Sequence, residues 1–194
     1  MSKSEPAASK KERNKAIRWI VAIFISTIFI SGVISLASEE IMAASTMPVA
    51  FVILLVIVLV GILFDIIGVA VTSADEKPFH SMAARKVPGA LESIRLLRNA
   101  EKVGSICNDV VGDICGVVSG SASATIAAQV LQNFELSWPR LASLLMSALV
   151  AGLTVGGKAI GKGLAINSCT KIVHLVGRTI HRIQSIPKIF KKKK

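Results

Sequence analysis

Four stretches of the chain, 19–38, 47–64, 114–134 and 141–157, run for 17 to 21 residues without an Asp, Glu, Lys or Arg. A bilayer core takes roughly 20 apolar residues of helix, so the pattern predicts four membrane spans. Asp65, Asp109, Asp113 and Lys158 border these runs. Ionisable groups at that depth are costly and point to function by default.

Between the second and third runs the pattern changes. Met82, Val87, Leu91, Ile94, Leu97 and Val103 recur at roughly helical spacing, with Arg85, Lys86, Arg95, Arg98 and Lys102 between them. Pro88 and Gly89 divide the segment into two short pieces. This predicts a belt of basic amphipathic helices over 73–105, lying either in the membrane interface or as a solvated pair packed on the spans. After the fourth run, Ile172, Val173, Val176, Ile180 and Ile183 alternate with Lys171, His174, Arg178, His181 and Arg182. A further basic amphipathic helix is expected there, ended by Pro187 and followed by lysines at 191–194 that suit an anionic leaflet. Residues 1–15 are polar and read as disordered. Pro48 fits the first turn of the second span, and Trp138 the interfacial anchor of the fourth.

Composition supports lipid as the solvent: 52% apolar residues, 5% aromatic and a mean hydropathy of +0.63. The net charge of +11 invites nucleic acid as a partner, but its placement argues against that. The tail up to Arg18 holds six basic and two acidic residues, 73–105 six and four, and everything after Gly157 ten and none. The remaining connections carry only Glu39, Glu40, Glu135 and Arg140. Basic residues collect on the cytoplasmic side, so both termini are expected inside a cell membrane. The first run, with basic residues ahead of it and Ser35-Leu36-Ala37 at its end, also has the outline of a cleavable signal peptide.

The third span differs in kind. Gly112, Gly116 and Gly120 recur every four residues, a small-residue stripe that lets helix backbones approach in a membrane. Beside it Ser105, Asp109, Asp113 and Ser121 form an oxygen-rich stripe at i, i+4 spacing, interrupted only by Val117. Counting down spans two and four at about 1.5 Å per residue puts Asp65 and Lys158 level with these carboxylates. Two readings of the cluster stand side by side. Asp65, Asp109 and Asp113, with the Ser105 hydroxyl and the Gly157 carbonyl, offer oxygen ligands to a hard cation such as Mg2+ or Na+. Alternatively, Lys158 pairs with Asp65 or Asp109 and only locks the bundle.

Other chemistries lack a motif. Cys107, Cys115 and Cys169 form no CxxC pair and read as apolar fillers. His80, His174 and His181 are scattered, without zinc or haem spacing. The run from Gly156 to Lys162 matches the phosphate-loop pattern, but Gly163 stands where Ser or Thr should be and a membrane span precedes it. No nucleophile–base pair is evident, so an enzyme is not expected, nor an organic cofactor.

Three segments resemble the transmembrane domain of the cyclin M / CorC family of magnesium transporters. Phe64, Asp65, Gly68, Ala70 and Ser73 are similar to its F-S-G-x-E-x-A-L-x-S segment. Asn99 to Val103, Ser105 and the run from Asn108 to Ile114 resemble its N-P-x-x-x…G-N-N-L-V-N-I segment. Gly157, Lys158, Lys162 and Ala165 look like its G-E-x-x-P-K-x-x-A turn. The likeness covers about residues 55–180. It implies an all-α core of three spans, here the second to fourth, a cation site, a homodimer, and a helical belt after the first of the three. The sequence departs from the family where Asp65 and Gly68 replace its Ser and Glu, Asp109 and Asp113 its Asn positions, and Lys158 its acid. The family's regulatory nucleotide-binding module has no counterpart here, so such regulation would need a separate cytoplasmic partner.

The expectation is therefore an all-α, multi-pass bundle. It comprises a basic tail (1–15), an extra span (16–38), a cyclin M / CorC-like domain (47–180) and a basic end (181–194). The function expected is transport of a divalent cation, Mg2+ foremost, with Asp65, Ser105, Asp109, Asp113 and Gly157 as ligands, Lys158 as a modulating charge and Gly112, Gly116 and Gly120 as the packing stripe. The alternative is a non-transporting membrane scaffold whose basic helices bind a partner protein or anionic lipid.

Overall fold

The computed structural model describes residues 7–133 and 139–191, all helix and short turns, with no strand among them. In chain order the helices are α1 (Ala7–Ala43), α2 (Met47–Ser73), α3 (Lys77–Ala84), α4 (Ala90–Leu97) and α5 (Ala100–Ser105). A π-helical stretch, Ile106–Gly112, then leads into α6 (Asp113–Asn133), followed by α7 (Pro139–Asn167) and α8 (Cys169–Lys191). Trp138, Glu135 and the last three lysines lie outside the described residues. Four segments are long and apolar enough to cross a membrane: Ile17–Met42, Met47–Ser73, Ala100–Leu131 and Arg140–Asn167. The chain is an all-α, multi-pass membrane protein.

Three boundaries differ from expectation, each for a local reason. Residues 7–15 belong to α1 rather than to a disordered tail, because Ala, Lys, Glu and Arg dominate that stretch and are strong helix formers. The fourth span does not stop at its glycines. Instead α7 continues to Asn167, with Gly157 and Gly161 seated against the Ile62 and Ile66 side chains of α2. Nor does Pro187 end α8: so near the terminus, its missing N–H deletes one of the last hydrogen bonds of the helix.

α2 is the central element, touching α5, the π-helical stretch, α6, α7 and α8. Its flanking glycines set the registers. A side chain at Gly61 would meet Cys115 Cβ at 2.9 Å, one at Gly68 would meet the Asn108 amide, and one at Gly104 would meet the Thr72 methyl at 2.8 Å. These pairs run in opposite directions along the two helices, so α2 and the third span are antiparallel, with Asp65 level with Val111. Ile62 against Gly157 and Ile66 against Gly161 make α2 and α7 parallel, with Lys158 within the same turn as Asp65.

Two apolar cores result. Near the α1–α2 turn, Met42, Leu54, Val58, Ile126 and Val150 form one. At the other end of the spans, Ala70 and Val71 of α2 join Phe79, Ile94, Ala165 and Val173 in a second, which fastens the belt helices and α8 to the bundle. Gly89 takes φ 88°, and a side chain there would strike the Arg178 backbone at 2.5 Å, so α4 begins where only glycine fits both demands. Ser93 is fully buried at this crossing and shares its hydroxyl hydrogen between Gly89 O at 2.9 Å and Val173 O at 3.2 Å. By contrast α1 leans on α6 and only brushes α2, with Lys102 Nζ 5.4 Å from the Trp19 ring centroid.

Candidate functional site

Asp65 is placed where a carboxylate is hardest to keep. It sits toward the belt end of α2, on the face defined by Gly61 and Gly68, 5% exposed, and its Oδ2 has no hydrogen-bond partner. A buried carboxylate oxygen without a partner is costly, and a bound cation would offset that cost. One turn along the same interface, Asn108 presses on Gly68 and its Oδ1 is likewise buried without a partner. Asn108 belongs to the π-helical stretch. Such segments widen the turn inside α-helices and occur often at functional sites.

Lys158 supplies the opposite charge at this level without neutralising it. Its Nζ donates to Gly112 O at 3.4 Å. The ion pairs among the described residues are all in the belt and α8: His80 and Arg98 with Glu76, and His181 with Glu92. The Lys158–carboxylate pair of the alternative reading is therefore not formed among the described residues.

The other expected ligands do not converge on Asp65, and no group of three or more metal-ligating acids, His or Cys gathers among the described residues. Asp109 is exposed and accepts a hydrogen bond from Ser105 Oγ at 2.8 Å. Asp113 is exposed as well and lines a groove between α6 and α7. The cause is the face turned to α2. Gly104, Asn108 and Cys115 meet that helix, so Asp109, one residue past Asn108, is carried round to another side. Gly157 lies mid-helix, where its carbonyl accepts the N–H four residues on, and Ile62 fills the place of its missing side chain.

The glycine stripe divides in the same way. Gly112 is buried, with Cys107 O and Lys158 Nζ each 3.4 Å from where a Cβ would stand, whereas Gly116 and Gly120 have nothing within 4 Å. Those two glycines open a groove of about 570 Å³. The buried, unpartnered residue that sequence reasoning passed over is Asn108. Its place in line with Gly104 and Gly112 was the available signal.

No family model, no characterised protein and no solved structure matches the chain. The likeness to the cyclin M / CorC family rests on the three short segments alone.

Proposed function

We propose that this protein transports a small hard cation, Mg2+ foremost, across the cell membrane, with both termini cytoplasmic. The observation that carries this reading is the buried, unpartnered carboxylate oxygen of Asp65. Asp65 and the Asn108 amide oxygen are two hard ligands one turn apart. Mg2+ keeps several waters and is commonly held by only one or two carboxylates, so a three-acid cage is not required. Asp109 with Ser105, and Asp113, lie toward the belt end of the third span and lower the barrier for a cation entering there. Lys158 keeps residence short by repulsion, which a transporter needs in order to release its cargo. Rocking of α2 against the third span would open the site alternately to the two sides.

The test is thermal stability of the detergent-purified protein against Mg2+, Mn2+, Ca2+ and Na+. A ligand bound only by the folded state raises the melting temperature with concentration. A saturable rise with one ion that persists in Asp113→Asn and disappears in Asp65→Asn supports the reading. No rise, or a rise indifferent to Asp65→Asn, overturns it.

One observation favours the scaffold reading. α8 presents Leu175, 65% exposed, and Ile183, 61% exposed, beside Lys171, Arg178 and Arg182. A basic amphipathic face of this kind lies on anionic membrane or binds an acidic partner. It is compatible with transport and would stand alone if the cation test fails.

A further inference from the structure

The groove between α6 and α7 does not include Asp65 in its lining and needs its own account. One wall is made by Gly116 and Gly120, the other by Ala151 and Thr154, and Asp113 and Lys158 stand together at its belt end. Lys158 spends one hydrogen on Gly112 O at 3.4 Å. Neither Asp113 nor Lys158 is in an ion pair among the described residues. We propose that this groove is a binding site for one phospholipid whose headgroup carries a protonated primary amine, with the phosphate on Lys158, the ammonium on Asp113 and an acyl chain running up the groove.

Depth fits this occupant. Lys158 lies 18 residues along the span that begins at Arg140, or about 27 Å at 1.5 Å per residue, close to the far boundary of a hydrocarbon core of about 30 Å. The two charges are thus at headgroup level and the groove extends from them into hydrocarbon. Three of its hydroxyls do not compete with a chain. Ser119, Ser123 and Thr154 donate to their own helices, at Gly116 O, Gly120 O and Val150 O over 2.9, 2.8 and 2.8 Å.

Charge selects the headgroup. An acid and a base at one level, unpaired with each other, complement a zwitterion. A choline group has no N–H to give Asp113, and a glycerol headgroup has no cation. One charge-assisted hydrogen bond of about 1.4 kcal/mol corresponds to about tenfold in affinity. The inference does not rest on the cation reading, and its test is run with chelator and no divalent ion.

The full-length protein in detergent is titrated with phosphatidylethanolamine, phosphatidylcholine or phosphatidylglycerol, reading the melting temperature and the lipids retained in native mass spectrometry. The expected result is about tenfold tighter binding of phosphatidylethanolamine than of the other two. Asp113→Asn should erase that preference, and Lys158→Met should weaken all three lipids. Gly116→Leu fills open space, so it should fold and lose the retained lipid. Equal response to the three headgroups overturns the proposal, as does a preference that survives both Asp113→Asn and Gly116→Leu. It also falls if Gly116→Leu halves the particle mass without lipid loss, since a second copy of the chain would then occupy the groove.

Discussion

Asp65 of α2 and Asn108 of the π-helical stretch share one helix interface, and each keeps a buried side-chain oxygen without a hydrogen-bond partner. Two orphaned oxygens one turn apart are costly in a protein interior, at about 1–3 kcal/mol each and more for a charge. Asp65→Asn removes the charge at nearly constant shape. In ion-free buffer it should therefore raise stability by about 1–3 kcal/mol, and the melting temperature should stop responding to Mg2+. A destabilised Asp65→Asn would mean that the carboxylate already has a resident partner.

Gly68 and Gly116 make a matched pair of probes for the interface. A methyl at Gly68 runs into the Asn108 side chain, whereas one at Gly116 meets nothing within 4 Å. Gly68→Ala should cost about 1–3 kcal/mol through overpacking. Gly116→Ala should be neutral or stabilising by up to about 1 kcal/mol, from helix propensity alone. Chemical denaturation of both variants in one detergent tests the assignment, and an equal cost at the two sites would contradict the register described above.

The crossing of α4 and α8 offers a pH readout away from the membrane. Glu92 accepts from His181 Nδ1 at 3.0 Å, and this hydrogen bond holds the Glu92 carboxyl below its ordinary range. A group with a depressed folded pKa contributes stability that is present above its unfolded value and is lost as pH falls through the folded one. The contact should therefore hold at neutral pH and weaken on acidification below the ordinary Glu range. Hydrogen exchange of α8 amides should rise there, and Glu92→Gln should flatten the response.

How far the sequence reveals this molecule depends on the dimension of the signal. The spans follow from hydropathy, which is read along one axis, and the break at Gly89 follows from backbone geometry that only glycine meets comfortably. Which side of a helix faces which neighbour is a rotational question. There the i, i+4 rule suggested Asp109, while the fold turned Asn108 toward α2. The π-helical stretch has a longer repeat than the α-helix, so positions extrapolated across Ile106–Gly112 drift round the axis. The fourth span runs on past Gly157 for a related reason. A glycine cluster reads as a break, yet Ile62 and Ile66 fill the spaces at Gly157 and Gly161 and the helix runs on.

Lys158 distinguishes transport from mere architecture. Its Nζ makes one long hydrogen bond, to Gly112 O at 3.4 Å, and lies within the same turn as Asp65. If the lysine were half of a lock, Lys158→Met would strand a buried carboxylate and cost about 3–5 kcal/mol. With no pair formed, the substitution instead removes an unneutralised ammonium near the proposed cation site. Its stability cost should stay within about 1 kcal/mol, and the midpoint of the Mg2+-dependent rise in melting temperature should move to lower concentration. The double variant with Asp65→Asn completes the cycle. Coupling between the two sites should be of the order of 0.5–3 kcal/mol in the presence of the ion, and it should shrink when the ion is removed. Coupling that ignores the ion would make Lys158 and Asp65 a structural pair and leave the scaffold as the function of the protein.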